Sequence, residues 1–220
     1  MYLPKHNQIE DQSQIFDLIK THSFGVLVTS QDDVPIATHL PFVLDENRGP
    51  HGTLISHMAR ANPQWRHFAD KTALIIFQGA HTYVSPTWYH SEFNVPTWNY
   101  AIVHAYGAAR VIEHTTEVTE RLDQLVAQYE GNGPNAWSVP WEDERYGKLT
   151  GGVVTFEIEI SRLEGKWKIS QNKSHADQQG VIEHLQQATT SADVVEMAAM
   201  MCHHLKQCHH LKQEEEKENV

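Results

Sequence analysis

The chain has 220 residues, 40% of them hydrophobic and 20% charged, with a formal net charge of −11. That length suits one domain with a sizeable core, or one domain plus an appendage, and no apolar run approaches the roughly 20 residues needed to span a bilayer. The acidic balance argues against a nucleic-acid binder, which normally shows a basic face; the closing "EEEKENV" carries −3 of it (four Glu, one Lys), leaving −8 for residues 1–213. "MYLPKHNQIEDQ" contains no apolar stretch of the secretory kind, and two cysteines near the C-terminus make no disulfide framework, so the expected setting is cytoplasmic.

In chain order, "DQSQIFDLIKTH" (11–22) carries apolar residues at 15, 16, 18 and 19, a helical stripe capped by Asp11 or Ser13. "FGVLVTS" (24–30) is β-rich, "QDDV" is a turn, and "PIATHLPFVL" (35–44) is a second strand. "DENRGPHG" (45–52) is a hairpin loop and "TLISHM" (53–58) a third strand. Asn62-Pro63 then opens a helix ending near Ala69, with Asn as cap and Pro in the first turn. "TALIIFQG" (72–79) is the most apolar strand, and "HTYVS" (81–85) follows a Gly turn.

Residues 95–114 form a long β segment in which Gly107 marks a bulge or a close backbone approach. Residues 115–131 form a helix with a Thr cap and Gly131 just past its end. "NGPNAWSVPW" (132–141) is a loop, and residues 153–170 begin with strand alternation. Helices over roughly 175–188 and 192–212 close the chain. Several strands in close succession, without strict βαβ alternation, point to a small antiparallel barrel rather than a doubly wound sheet.

Four polar-aromatic clusters stand at strand ends: "THLPF" (38–42), "SHMARANPQW" (56–65), "SPTWYHSEFNVPTWNY" (85–100) and "GKWKISQN" (165–172). Strand ends on one rim of a barrel can converge, and a planar anionic cofactor would use such a set. Aromatic groups would flank its ring, amides would meet its edge, and an arginine beside a helix terminus would hold its phosphate. Each residue also has an ordinary reading: tryptophans as core, Asn99 as a turn contact, Lys166 and Lys168 as a solvated strand face, and Arg60 as a surface cation.

The motifs "HLPF", "HMARANPQW", "SPTWY", "VPTWNY" and "GKWKISQN" together resemble the PaiB family of FMN-binding negative transcriptional regulators, over residues 1 to about 185. The C-terminal helices are read over 173–213, and the acidic tail over 214–220, with almost nothing to bury, is expected to be disordered. The resemblance implies an α+β fold with an antiparallel split β-barrel of the pyridoxamine-phosphate-oxidase-like type over 1–172. It further implies a homodimer with FMN near the subunit interface. Carried onto this chain, the phosphate contacts are Ser56, His57, Arg60 and Asn62. His39 in "HLPF" would line the ring, with Trp98, Asn99 and Gln171 as further contacts.

DNA as a partner rests on the resemblance alone, since no helix-turn-helix is evident. A flavin oxidoreductase acting on a small molecule, and a flavin- or haem-binding protein without DNA contact, are the alternatives. No side chain demands a catalytic role; His57, His81 and His104 are candidates only. The repeat "CHHLKQCHHLKQ" (202–213) places His204 and Cys208 four apart on one helix face. Two helical ligands without a third make a weak metal site, so no metal is assigned.

Overall fold

The structure is a computed structural model that describes residues 1–68, 71–131, 133–188 and 191–218, with side chains described as far as residue 206. Eight strands and five α-helices follow in the order β1 (Gln8–Ile9), α1 (Gln12–Thr21), β2 (Phe24–Gln31), β3 (Val34–Pro41), β4 (Val43–Asp45), β5 (Thr53–Ala59), β6 (Thr72–Val84), β7 (Thr97–Val111), α2 (Thr115–Glu130), α3 (Glu144–Thr150), β8 (Val153–Lys168), α4 (His175–Ala188) and α5 (Ala192–Glu218). The strands join one sheet in the order β3-β2-β6-β7-β8-β5-β4, with β1 added to β8. The pairs whose register is defined are antiparallel.

Local chemistry accounts for most boundaries. Asp11 caps α1 by accepting from Ser13 N at 2.9 Å. The β2–β3 hairpin closes Gln31 on Val34 through Asp32 (φ 49°) and Asp33 (φ 64°), the left-handed pair that a two-residue hairpin needs. The expected strand 35–44 is two: β3 pairs with β2 and β4 with β5. The switch comes at Pro41-Phe42, where Phe42 leaves the ladder and donates its N–H to Ser23 O at 2.8 Å. Gly79 does not end a strand as expected, because β6 runs through it and two consecutive residues, Gly79 and Ala80, are buried where the alternation slips. Helix α2 is preceded by His114, which makes no side-chain cap bond, rather than by a capping threonine. The expected helix after Asn62 is a five-residue 3-10 turn, Pro63–His67. Helix α5 continues to Glu218 over most of the segment expected to be a tail; Glu and Lys are good helix formers, and extending an existing helix needs no new nucleus.

The chain forms two compact units. Unit 1 comprises Met1–Glu10, Gln78–Ile102 and Gly165–Val220, and unit 2 comprises Asp11–Phe77 and Val103–Glu164. Unit 2 is built around Phe42, Phe77 and Phe156, all at 1% exposure or less, with Phe42 edge-on to the other two. Within it β7 and β8 pass so closely at Gly107 that a Cβ there would lie 2.2 Å from Glu159 O. The core of unit 1 includes Val181, Ile182 and Leu185 of α4 with Met197 and Met201 of α5. Asp177 at the start of α4 accepts from the backbone N–H of His90 and Ser91 at 2.8 and 2.9 Å and from Ser91 Oγ at 2.9 Å. The Ser91 N–H leads the contacts that hold its pKa down to about 2.

Candidate functional site

Strand β5 carries the central motif of unit 2. Alternation sends neighbouring side chains to opposite faces, and Ser56 and His57 divide accordingly. Ser56 is fully buried and its Oγ donates to Pro41 O at 2.7 Å. His57 lines an aromatic cavity of about 520 Å³ with Pro41, Tyr129, Trp137, Trp141 and Tyr146, under α2 and α3. The Trp141 indole donates to the Asp123 carboxylate at 2.9 and 3.1 Å, fixing the segment after α2 to that helix. Burial lowers the His57 pKa below its ordinary value, so the imidazole is neutral at pH 7. Its Nδ1 is buried without a hydrogen-bond partner among the described residues.

Directly across the ladder from His57 stands Thr155 of β8. It is 1% exposed, and its Oγ1 also lacks a partner among the described residues. Cross-strand partners share a face of the sheet, so two unsatisfied polar atoms lie on one face. Buried polar groups without partners are uncommon and costly. Thr155 lines a second hollow of about 380 Å³ with Arg60, Trp65, Glu113, Thr115 and Gly151. Thr150 and Val153 line both spaces. Thr115 opens α2, whose first turn has no side-chain cap, so this helix end offers open N–H groups and partial positive charge. The exposed Glu113 carboxylate on the rim works against an anion there.

Arg60 donates from Nε to Gly151 O and from Nη2 to Val153 O, both at 2.8 Å. Its Nη1 has no protein acceptor among the described residues. Asn62 lies elsewhere: its Oδ1 accepts from Gln64 N at 3.0 Å and its Nδ2 donates to Thr38 Oγ1 at 3.0 Å. The first N–H of the 3-10 turn is thereby satisfied. Gln64, which the sequence did not single out, is buried and donates to Leu27 O, Thr29 Oγ1 and Ile36 O, closing one end of the β2–β3 hairpin. His39 is exposed on β3, stacked 6.3 Å from Phe24.

Trp98, Asn99 and Gln171 belong to unit 1. Trp98 is 53% exposed, stacked on His81 and edge-on to Tyr83. Asn99 is fully buried, exchanging hydrogen bonds with Ser170 Oγ. Gln171 folds back on its own turn, accepting from Ile169 N at 2.8 Å. Sequence reasoning thus found His57 and Arg60 at the two hollows of unit 2 but missed Thr155, Tyr129, Trp137, Trp141 and Tyr146. The alternation of β8 put Thr155 on the face of its cross-strand neighbour, a usable signal; "WSVPW" gave none of where its tryptophans would fold. Among the described residues no group of three or more His, Cys, Asp or Glu could hold a metal. The side chains of Cys208, His209 and His210 in the tandem repeat lie outside the described residues.

Residues 1–162 match the model of a family described as "Putative FMN-binding domain". The protease synthase and sporulation protein PAI 2 of Bacillus subtilis is 38% identical over 211 residues, covering 94% of this chain and 99% of that one. The chain belongs to the PaiB family of FMN-binding proteins. Two solved structures share the fold. They are an FAD- and heme-binding protein from Mycobacterium smegmatis (TM-score 0.57, 16% identity, 73% of each chain) and the flavocytochrome Anf3 from Azotobacter vinelandii (TM-score 0.56, 14% identity, 73% of this chain and 69% of that one). The fold is the antiparallel split-barrel type with C-terminal helices, and the cofactor of this PaiB-family chain is FMN. No helix among the described residues is long and apolar enough to cross a membrane.

The donor set of unit 2 suits that cofactor. Small-molecule sites are mostly apolar clefts of about 300–1,000 Å³ with a few placed polar groups. The aromatic cavity with its uncharged imidazole suits a flavin ring. The hollow with Arg60, Thr155 and the open end of α2 suits a phosphate.

Proposed function

We propose that this chain is a flavin-responsive regulatory protein that holds FMN across the β5–β8 pair of unit 2. In this reading the ring occupies the aromatic cavity beside His57, and the phosphate reaches the hollow at Arg60 and the start of α2. One observation carries it: His57 and Thr155, cross-strand neighbours whose buried Nδ1 and Oγ1 have no partner among the described residues, line the one space and the other. FMN supplies redox chemistry when bound; the chain's own residues bind it, orient it and keep water from its ring. The relationship to the Bacillus subtilis protein, whose name concerns protease synthesis and sporulation, supports a regulatory rather than metabolic output. A homodimer accords with the family resemblance. With a net charge of −11, any DNA contact would have to come from a local patch and would weaken steeply with salt.

The test is Thr155→Val, which removes the orphan hydroxyl without changing shape. Deleting an unsatisfied buried polar atom should leave the flavin-free protein as stable or more so. The same change should weaken FMN by about tenfold, for a lost hydrogen bond of ~1.4 kcal/mol, and riboflavin, which lacks the phosphate, by less. Unchanged affinity for both flavins would place the cofactor elsewhere. Reduction of bound flavin by NAD(P)H with turnover would favour an oxidoreductase instead.

A further inference from the structure

Three lysines of unit 1 bond to no carboxylate among the described residues. Lys166 and Lys168 lie two apart on β8 and share a face of it, and Lys173 follows five residues later. Their ammonium groups end along one stretch, residues 94–100. Lys173 Nζ donates to Asn94 Oδ1 at 2.6 Å. Lys168 Nζ donates to Thr97 Oγ1 and, at 2.6 Å, to Trp98 O. Lys166 Nζ lies 5.3 Å from the Tyr100 ring and 5.5 Å from the Tyr2 ring, and donates to Tyr2 O at 3.0 Å. Lys173 Nζ also sits 5.0 Å from the Tyr89 ring.

Neutral oxygens and aromatic faces are the only partners these three ammoniums have among the described residues. Lys166 is 8% exposed, and a buried charge is ordinarily paired. Asp177 is taken by His90 and Ser91, and Glu164, two residues before Lys166 on β8, accepts from Tyr106 Oη at 3.3 Å. Burial first, then the charges of Lys166 and Lys173, hold the Lys168 pKa below the usual lysine value. In a chain of net charge −11, like charges gathered in this way lack their counter-charge.

We infer that Lys166, Lys168 and Lys173 form a binding site for a phosphate dianion, free or on a small ester, separate from the phosphate hollow proposed in unit 2. The three donors supply charge, the Asn94 and Thr97 side chains supply neutral hydrogen-bonding groups, and Tyr2, Tyr89 and Tyr100 offer aromatic faces to an ester group. The inference does not depend on where FMN binds, and the experiment separates the two.

The full chain, saturated with FMN in a phosphate-free buffer, is titrated with inorganic phosphate. Binding is followed by calorimetry and by NMR of the lysine ε groups. Saturable binding at one site is expected, with the Lys168 pKa rising as phosphate binds. Lys168→Gln and Lys173→Gln should each weaken phosphate about tenfold, as removal of one charge-assisted contact implies, while FMN affinity stays at the wild-type value. Tighter binding of phenyl phosphate than of inorganic phosphate would identify an ester as the ligand, and equal binding the free anion; both support the site. Absence of any phosphate-dependent shift in the lysine signals of the wild-type chain overturns the inference, whether or not the variants fold. Competition between phosphate and FMN, with FMN weakened by the lysine variants and not by Arg60→Ala, also overturns it, because the lysines would then hold the flavin's own phosphate.

Discussion

Arg60→Ala separates the parts of the flavin reading most cleanly. In the flavin-free protein it removes two hydrogen bonds to the carbonyls of Gly151 and Val153. Arg60 is exposed, so these bonds sit at the low end of the usual range, about 0.5–1 kcal/mol each. A loss of about 1–2 kcal/mol lowers the melting temperature by about 2–8 °C in a chain of this size. The effect on FMN should be larger, since a charge-assisted contact to phosphate contributes about 1.5–3 kcal/mol, which corresponds to a ten- to hundredfold rise in Kd. Riboflavin lacks the phosphate and should bind the variant almost as it binds wild type. Fluorescence titration of both flavins at two salt concentrations is the assay. Added salt should weaken FMN and leave riboflavin unchanged. Arg60→Lys, which keeps the charge but not the planar fork, should fall between the two. Equal losses for FMN and riboflavin would show that Arg60 acts only by holding the segment before β8, and the phosphate assignment would fail.

Other outcomes follow from the same geometry. Gly107→Ala places a Cβ 2.2 Å from Glu159 O and should destabilise the chain by about 3 kcal/mol or prevent folding, read as a loss of soluble protein or a lowered urea midpoint. The Asp177 carboxylate, with a folded pKa of about 2 against an ordinary 3.8, contributes stability that is fully present above the unfolded value and is lost as pH falls through the folded one. Asp177→Asn should therefore flatten the acid limb of the melting curve between pH 4 and 2. A homodimer should appear by sedimentation at tens of micromolar (roughly the range for a stable interface), and monomer alone there would count against it.

Much of the frame was legible because it rests on short-range chemistry. The Asp32-Asp33 turn, the Asp11 cap and the Gly131 helix end each need a residue type that the sequence announces. Gly107 was readable for the same reason: a glycine in a β-branched, aromatic strand has to be explained by something that excludes a side chain. What was not legible depended on partners distant in sequence. Pro41-Phe42 reads as continuous strand until β2 and β5 compete for its two sides. Ser56 and Asn62 look like ligands because they are polar and clustered, yet both have backbone or side-chain partners within the unit. Arg60 and His57 could be picked from the motif, but the unsatisfied atoms that give them meaning appear only when β8 lies alongside β5.

The borders between the two compact units fall at 10/11, 77/78, 102/103 and 164/165, and the last three lie inside strands rather than in loops. The chain passes between the units four times, once between β1 and α1 and three times along a continuous strand. Neither unit corresponds to a contiguous stretch of gene, so neither can be excised by a single truncation, swapped as a cassette or released by a protease without cutting β6, β7 and β8. Any recombination event that exchanged one unit between relatives would have to join the chain at four places, three of them inside strands and in register. A substitution at a border inside β6, β7 or β8 therefore falls on a strand that both units use.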